Sequence, residues 1–255
     1  MSASGGQLPV AGGAEKRAYV RGMFTAIAPS YDRLNRIISF RLDIHWRKVA
    51  VRRLGWQRRP DGRYLDLCAG TLDFSATLAR QPGFRGRITA ADFVQPMLRL
   101  GRGKAPGLQP VTADALQLPF PDATFDGAMV GWGLRNLMDL EAGLREVARV
   151  LRPGARLVSL DTSHPPHQPL RGLYNFYFER VLPRVGRFFS KHTDAYSWLP
   201  ESARHFPEPG ALSELLRRSG FRTARHELLL GGATALHVAE RGTGNGDQGT
   251  GTATP

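Results

Sequence analysis

The stretch LDLCAGTLDF, residues 65–74, decides how the rest of the chain is read. Apolar residues run into a sharp turn that opens into a helix, as where a parallel sheet hands over to its covering layer. Turns that cradle a nucleotide-like cofactor usually hold several glycines, because the backbone bends tightly and lets the ligand come close. Here only Gly70 is glycine, with Cys68 and Leu72 where glycines are expected. Gly70 still permits a close approach, and a helix beginning at Asp73 offers free N–H groups. A β-carbon at Leu72 fits the first helical turn without a positive φ, so no backbone strain is predicted there. One glycine after a strand is common, and the plain alternative is an ordinary strand-to-helix turn.

Around this turn the pattern alternates. RYLDL (63–67), RITAAD (87–92), PVTAD (110–114), FDGAMVGW (125–132) and ARLVSLD (155–161) read as strands. Between them, DFSATLAR (73–80), QPMLRLGRGK (95–104) and LEAGLREVARVL (140–151) read as helices, the last stopped by Pro153 and Gly154. Strands joined by helical crossovers predict an α/β fold with a doubly wound, mostly parallel sheet. ALSELLRRSG (211–220) is a further helix, and FRTARHELLL with ATALHVAE forms a closing hairpin through Gly231–Gly232, which brings the expected sheet to seven strands. Upstream, 15–28 and 42–54 have helical spacing. Residues 165–206 are aromatic and basic, broken by Pro183, and read as a helical cap. The expected organisation is a tail at 1–14, one domain at 15–240 and a tail at 241–255. Within the domain lie N-terminal helices (15–62), a cofactor-binding core (63–164), the cap (165–206) and a C-terminal helix and hairpin (207–240).

The 255 residues, 42% hydrophobic, suffice for one substantial core. The single cysteine excludes an intramolecular disulfide and a multi-cysteine metal site, and no metal is expected. No secretory signal and no window of 18 apolar residues is found, so a cytoplasmic protein is expected. The net charge of +13 is uneven: residues 1–64 hold 13 Lys+Arg against 4 Asp+Glu, while 65–164 hold 11 against 10. Such asymmetry points to an anionic partner, either nucleic acid or an acidic membrane surface, unless it reflects only the abundance of arginine.

Two carboxylates strengthen the cofactor reading of the loop. Asp92 ends the second strand about 20 residues past the loop, where it can accept hydrogen bonds from ribose hydroxyls; the alternative is an N-cap for the next helix. Asp114 ends the third strand, placed to accept from an exocyclic amine, and DALQLPFPDATFD (114–126) leads into the buried fourth strand. A nicotinamide enzyme would need G-x-G-x-x-G at 68–73, which is absent. The loop, Asp92 and the 114–126 segment together resemble a class I S-adenosylmethionine-dependent methyltransferase over residues 63–161.

Four further segments sharpen the resemblance: GMFTAIAPSYDRLNRIISFRLDIHWRK (22–48), GLRN (133–136), RVLRPG (149–154) and VLPRVGRFFSKHTDAYSWLPES (181–202). With them the chain resembles the demethylmenaquinone methyltransferase family, the C-methylating enzymes of menaquinone and ubiquinone synthesis, from about residue 17 to 240. The resemblance implies S-adenosylmethionine as cofactor, with contacts at Thr71, Asp92, Asp114 and Ala115, besides the backbone of Gly70 and Gly131. It also shows departures: Gly131 replaces a family Ser, Trp132 a Phe, Leu72 and Ala155 each a Gly, and Asp161 a Glu.

The activity implied is C-methylation of a prenylated quinol, most directly demethylmenaquinol to menaquinol. Methylating an aromatic carbon calls for an ionised neighbouring hydroxyl and for loss of the ring proton. Arg135 is placed to stabilise a phenolate and Asn136 to orient a hydroxyl or water; the alternative is that Arg135 pairs with Asp139 while Asn136 caps the next helix. Tyr31, with Asp32 and Asn35, lies in a lid-like segment. His45, His164 and His192 are base candidates by chemistry alone. Leu173, Tyr177, Val181 and Val185 share a helical face suited to a prenyl tail, and Arg180, Arg184 and Arg187 another suited to transient contact with an anionic membrane. Competing readings are a ubiquinone-pathway benzoquinol enzyme, a small-phenol or sterol methyltransferase, a silent cofactor-binding subunit, and an RNA methyltransferase. The last lacks Asn-Pro-Pro-Tyr after the fourth strand and any recognisable RNA-binding module, so no nucleic acid is expected.

Overall fold

Strands buried on both faces of a parallel sheet must be apolar almost throughout. Arg63–Leu67 (β1) meets this condition: only Arg63 is exposed. The computed structural model of the chain describes residues 8–9, 12–181, 184 and 194–242. Most of both expected tails, and Pro183, Val185, Arg187 and His192 of the cap, lie outside the described residues.

β1 is joined by Arg87–Asp92 (β2), Leu108–Thr112 (β3), Phe125–Gly131 (β4), Leu151–Thr162 (β5), Phe221–Leu229 (β6) and Thr234–Arg241 (β7) in a seven-stranded sheet of order β3-β2-β1-β4-β5-β7-β6. β1 to β5 pair in parallel, and β7 runs antiparallel to both its neighbours. The order reverses between β1 and β4, which opens a crevice at the carboxyl ends of those strands. That crevice sets the position of everything functional.

The helices preceding and crossing the sheet are Gly13–Ile27 (α1), Tyr31–Ile38 (α2), Leu42–Leu54 (α3), Asp73–Ala79 (α4), Gln95–Gly101 (α5), Leu140–Val150 (α6) and Leu170–Phe176 (α7). Helices Asp194–Arg204 and Pro209–Arg218 follow. One face of the sheet packs on α6 and Pro209–Arg218 through Leu144, Val147, Leu212 and Leu216. The other packs on α3 and α4 through Trp46, Val51, Leu54, Phe74 and Leu78. α6 begins where the Asp139 side chain accepts from the Ala142 N–H at 2.9 Å, an N-cap.

Three boundaries depart from the sequence reading. α6 is not stopped by Pro153 and Gly154: Leu151 is already extended and pairs with Phe125, so both residues lie inside β5. Partnership with β4, a tertiary contact, ends the helix earlier than local sequence does. β3 ends at Thr112, and Asp114 lies beyond the strand in an isolated bridge to Gln117.

The third departure concerns Leu72, which precedes α4 with φ 65° and ψ 23°. Positive φ is therefore required, contrary to the expectation of an unstrained position. Cys68 (φ 53°) and Gly70 (φ 51°) are left-handed too. Left-handed backbone costs a β-carbon-bearing residue about 1–2 kcal/mol. The Leu72 side chain is fully buried against Ala69, Ala90 and Leu98, and such burial contributes about 1.5–3 kcal/mol. The gain is large enough to offset the strain.

Leu72 fits because Gly101 has no side chain. A β-carbon at Gly101 would lie 2.3 Å from Leu72 Cγ and 2.6 Å from the Thr71 carbonyl oxygen. Alanine is the better helix former by about 1 kcal/mol, but a clash with backbone costs about 1–3 kcal/mol. Gly101→Ala is therefore expected to lower the Tm and weaken cofactor binding, measured by thermal denaturation and calorimetry; an unchanged Tm would show that the loop yields freely.

Candidate active site

The loop after β1 is shaped by two buried carboxylates. Asp66 Oδ2 accepts from the Ser75 N–H at 2.9 Å and the Ser75 hydroxyl at 2.6 Å, holding the start of α4. Asp92 Oδ2 accepts from the Gly70 N–H at 2.8 Å and Oδ1 from the Val94 N–H at 2.8 Å, tying the loop to the end of β2. Burial raises the Asp66 carboxyl to about 7 and the Asp92 carboxyl to about 6, despite the amides that favour their ionised forms.

A narrow cleft lies over this loop at the crevice. Gly70, Asp92, Asp114, Ala115 and Gly131 all line it, together with Cys68. Asp114 accepts from the Leu116 N–H at 3.0 Å and pairs with Arg17 of α1 at 2.8 Å. A β-carbon at Gly131 would lie 3.0 Å from Phe74 Cδ1, a tight contact that a shift of the Phe74 ring by a few tenths of an ångström would relieve. Thr71 is placed differently. It is buried outside the cleft lining, and its hydroxyl donates to Asp32 of α2. The structure thus joins Thr71 to the lid rather than to the cleft.

These residues fit a nucleoside-bearing sulfonium donor. Asp92 at the end of β2 and Asp114 just past β3 are acceptors that suit ribose hydroxyls and an amine, glycines admit the backbone, and Phe93, Val94, Met97 and Leu116 offer apolar walls suited to a purine. The cleft holds about 60 Å³, well below the about 150 Å³ of an apolar cavity that takes up benzene, so an adenosyl group needs it wider than it stands. Arg17 of α1, paired with Asp114, is part of its lining.

Beside the cleft lies a second cavity of about 480 Å³, lined mostly by apolar and aromatic side chains of α2, α3, α7 and the chain after α7. Phe24, Tyr31 and Trp132 line both spaces and form the wall between them. Tyr31 packs edge-on against Phe24 with ring centroids 5.9 Å apart, and burial raises its pKa. Trp132, at φ 54°, lies under the Arg47 guanidinium, 4.9 Å from the ring centroid. Sequence reasoning noted Trp132 only as a replaced Phe. Its partition role had no linear signal.

Arg135 lines the large cavity and is paired, but not with Asp139. Its Nη1 donates to Asp161 Oδ1 and to the Trp132 carbonyl, both at 2.7 Å, and both charged side chains are buried. Asp139 instead caps α6. Asn136 caps no helix: it lines the cofactor cleft, donates to the Trp132 carbonyl at 3.2 Å and accepts from Trp198 Nε1 at 2.9 Å. It braces the wall against the helix Asp194–Arg204.

The histidines are not brought in. His45 is exposed and His164 meets the edge of Tyr174 at 5.7 Å; neither lines the cleft or the large cavity, and His192 lies outside the described residues. Leu173 and Tyr177 line the large cavity as their shared face requires, whereas Val181 does not. Asp32 completes the lid contact by accepting from Lys104 Nζ at 2.6 Å.

A doubly wound sheet with an acidic, glycine-bearing cleft at its switch point defines the class of S-adenosylmethionine-dependent methyltransferases. Solved structures agree in fold: a methyltransferase from Thermotoga maritima, titled SAM-dependent and possibly a histamine N-methyltransferase, superposes with a TM-score of 0.60 at 19% identity, covering 86% of this chain and 98% of that one. A SAM-dependent methyltransferase from Aquifex aeolicus gives 0.59 at 16% identity over 82% and 97%. The ubiE/COQ5 methyltransferase family model matches residues 13–241, and the chain belongs to that family. Among curated relatives, the demethylmenaquinone methyltransferase of Thermus thermophilus is 45% identical over 86% of this chain and all of its own length. That of Listeria monocytogenes serotype 4a is 40% identical over 87% and 95%.

The position of Asp92 carries a pH dependence. An ionised Asp92 can accept from the ribose hydroxyls of a bound cofactor, and protonation removes part of that capacity. With the carboxyl at about 6, S-adenosylmethionine affinity should be level above that pH and fall by up to about tenfold per unit below it. Asp92→Asn should bind weakly and lose the inflection; calorimetric titration on either side of that pH checks both, and an unchanged inflection would assign it to another group.

Proposed function

We infer that this protein transfers the methyl group of S-adenosylmethionine to a ring carbon of demethylmenaquinol, the final methylation in making menaquinone. The observation that carries this reading is the large apolar cavity, separated from the cofactor cleft only by Phe24, Tyr31 and Trp132. A bicyclic ring with a prenyl tail matches that space in size and polarity. The curated relatives bear the same activity in their names.

When bound, S-adenosylmethionine supplies an activated methyl on a sulfonium. The protein's own task is alignment and charge. Tyr31 and Trp132 fix the plane of the aromatic ring at the partition. Arg135 faces the substrate side, where its charge favours the ionised ring oxygen that makes the neighbouring carbon nucleophilic. Asp161 and the Trp132 carbonyl hold the guanidinium in place. Asn136 acts one step back, through Trp198 and the Trp132 backbone.

The test is incubation with isotopically labelled S-adenosylmethionine and a panel of prenylated demethylnaphthoquinols and benzoquinols, with mass spectrometry of the lipid extract. Labelled menaquinol is expected; label on no prenylated ring rejects the assignment. Removing Arg135 alone would strand a buried Asp161, so the double variant Arg135→Gln/Asp161→Asn, which removes both charges, is the better probe. Turnover should fall about 10²–10³-fold with cofactor affinity unchanged, and undiminished turnover rejects its electrostatic role.

The mouth of the cavity supports a second element, peripheral contact with a membrane. Among the described residues no helix is long and apolar enough to span one. Phe40, Leu173 and Leu230 line the cavity yet are 74%, 65% and 57% exposed, and Phe176 beside them is 58% exposed. Arg41, Arg171, Arg180 and Arg184 are exposed on the same segments. Apolar side chains ringed by arginine fit an anionic lipid surface, from which a long-tailed quinol could enter without crossing water. In vesicle flotation, binding should be stronger to anionic than to neutral bilayers and fall in Phe40→Ser/Leu173→Ser; equal binding to both bilayers rejects the electrostatic part.

A further inference from the structure

A helix that covers a cavity shows one face to it and another to the rest of the protein, and on α2 the two faces are sharply divided. Tyr31 and Asn35, four positions apart, line the large cavity together with Leu34 and Ile38. Asp32 and Arg36, each one position further on, lie outside that lining and carry charge. Any rotation or withdrawal of the charged face therefore moves the wall from which Tyr31 stands between the two spaces.

The charged face is fixed by a lysine from a third element. Lys104 lies in the turn after α5, and its Nζ donates to Asp32 Oδ2 and to Asp73 Oδ1, both at 2.6 Å. Asp32 sits beside Tyr31 at the head of α2, and Asp73 is the first residue of α4, directly after the loop beneath the cleft. The backbone that carries the lysine is anchored against the same loop. The Lys104 N–H donates to the Gly101 carbonyl at 3.1 Å, and Gly101 abuts Thr71 and Leu72. One ammonium thus bridges two carboxylates that would otherwise repel each other. Arg36 reaches Asp73 Oδ2 at 2.6 Å one turn further along α2, so the lysine governs the end at which Tyr31 stands. Lys104, Asp32 and Asp73 are all partly exposed, where ion pairs add little to stability, and the bridge does more for geometry than for folding.

We propose that Lys104 is a positioning residue of the methyl transfer: by bridging Asp32 to Asp73 it sets how closely the head of α2 is held to the loop, and with it where Tyr31 stands between donor and ring. Lys104 lines neither the cleft nor the large cavity and acts only through these neighbours. A wall displaced by about 1 Å can cost about 100-fold in rate, because the acceptor carbon must lie in line with the methyl group. Removing the ammonium leaves Asp32 with the Thr71 hydroxyl and Asp73 with Arg36 and Arg47, so neither carboxylate is left without a partner.

The kinetic part of this inference rests on the quinol reading, and the test separates the two. Lys104→Met keeps the stem of the side chain and removes the charge. With the prenylated demethylnaphthoquinol as substrate, kcat should fall about 10- to 100-fold. S-adenosylmethionine affinity by calorimetry should not change, and the Tm should stay within a few degrees of the wild type. Asp32→Asn breaks the same bridge from the side of α2, so the double variant should lose no more than the worse single one. In the free protein, amide hydrogen exchange along α2 should quicken about fivefold in Lys104→Met, a readout that needs no quinol. Undiminished kcat beside an active wild type, losses that add in the double variant, or unchanged exchange along α2 would each overturn the proposal. A collapsed Tm in both single variants would make the bridge structural and overturn it too. A wild type that methylates no prenylated quinol rejects the substrate assignment alone; exchange along α2 then decides the role of Lys104, faster exchange upholding the bridge and unchanged exchange ending it.

Discussion

The loop between β1 and α4 is the constraint on which the site depends. Three alternate residues, Cys68, Gly70 and Leu72, are left-handed, and two of them carry a side chain that makes this costly. The geometry persists because it is fixed from outside. Asp66 grips Ser75 at the start of α4, and Asp92 grips the Gly70 N–H from the neighbouring strand. Burial of Leu72 against Gly101 completes the lock. The same carboxylate that holds the loop, Asp92, also lines the cleft.

From this loop an ionic network reaches the lid. Asp73, the first residue of α4, bonds to Arg36 of α2 at 2.6 Å and to Lys104 at 2.6 Å. Lys104 in turn reaches Asp32, which holds the Thr71 hydroxyl. Asp43 on α3 joins by accepting from Arg36 and Arg47. These charges are partly buried, where screening is weaker than at the surface. The helices covering the large cavity are therefore tied to the loop beneath the cleft. Tyr31, at the head of α2, rides on that linkage and stands between the two spaces.

The substrate side is built on a different principle. It is apolar nearly throughout, apart from the buried Arg47–Asp43 pair on α3 and, beside Trp132, Arg135 with its buried partner Asp161. Such a pair adds little net stability, because desolvation of both charges cancels much of their attraction. Its value lies in position: the guanidinium is held by the Trp132 carbonyl and Asp161, leaving Nε unused. The shorter Asp161, standing where a glutamate is usual in the family, still reaches Arg135 at 2.7 Å. The departure leaves the contact intact.

Much of this was legible in the chain itself. Strand-length apolar runs alternating with amphipathic helices dictated the parallel sheet, and sheet topology then dictated where a ligand must bind. Asp92 stands at the end of β2 as spacing alone suggests, whereas Asp114 lies two residues past the end of β3, and both line the cleft. The conformation of Leu72 could not be read, since its cost is local and the burial that offsets it comes from Gly101, 29 positions away. The end of α6 was set by pairing with β4, and Thr71 and Asn136 were turned away from their expected roles by partners at Asp32 and Trp198. The sequence by itself determined the layers of the fold and the edge of the sheet at which chemistry occurs, because periodicity and strand order are properties of the chain. Which side chains close the cleft, divide the two cavities and face the ring was decided only in three dimensions, where residues far apart in sequence compete for the same few hydrogen bonds and the same space.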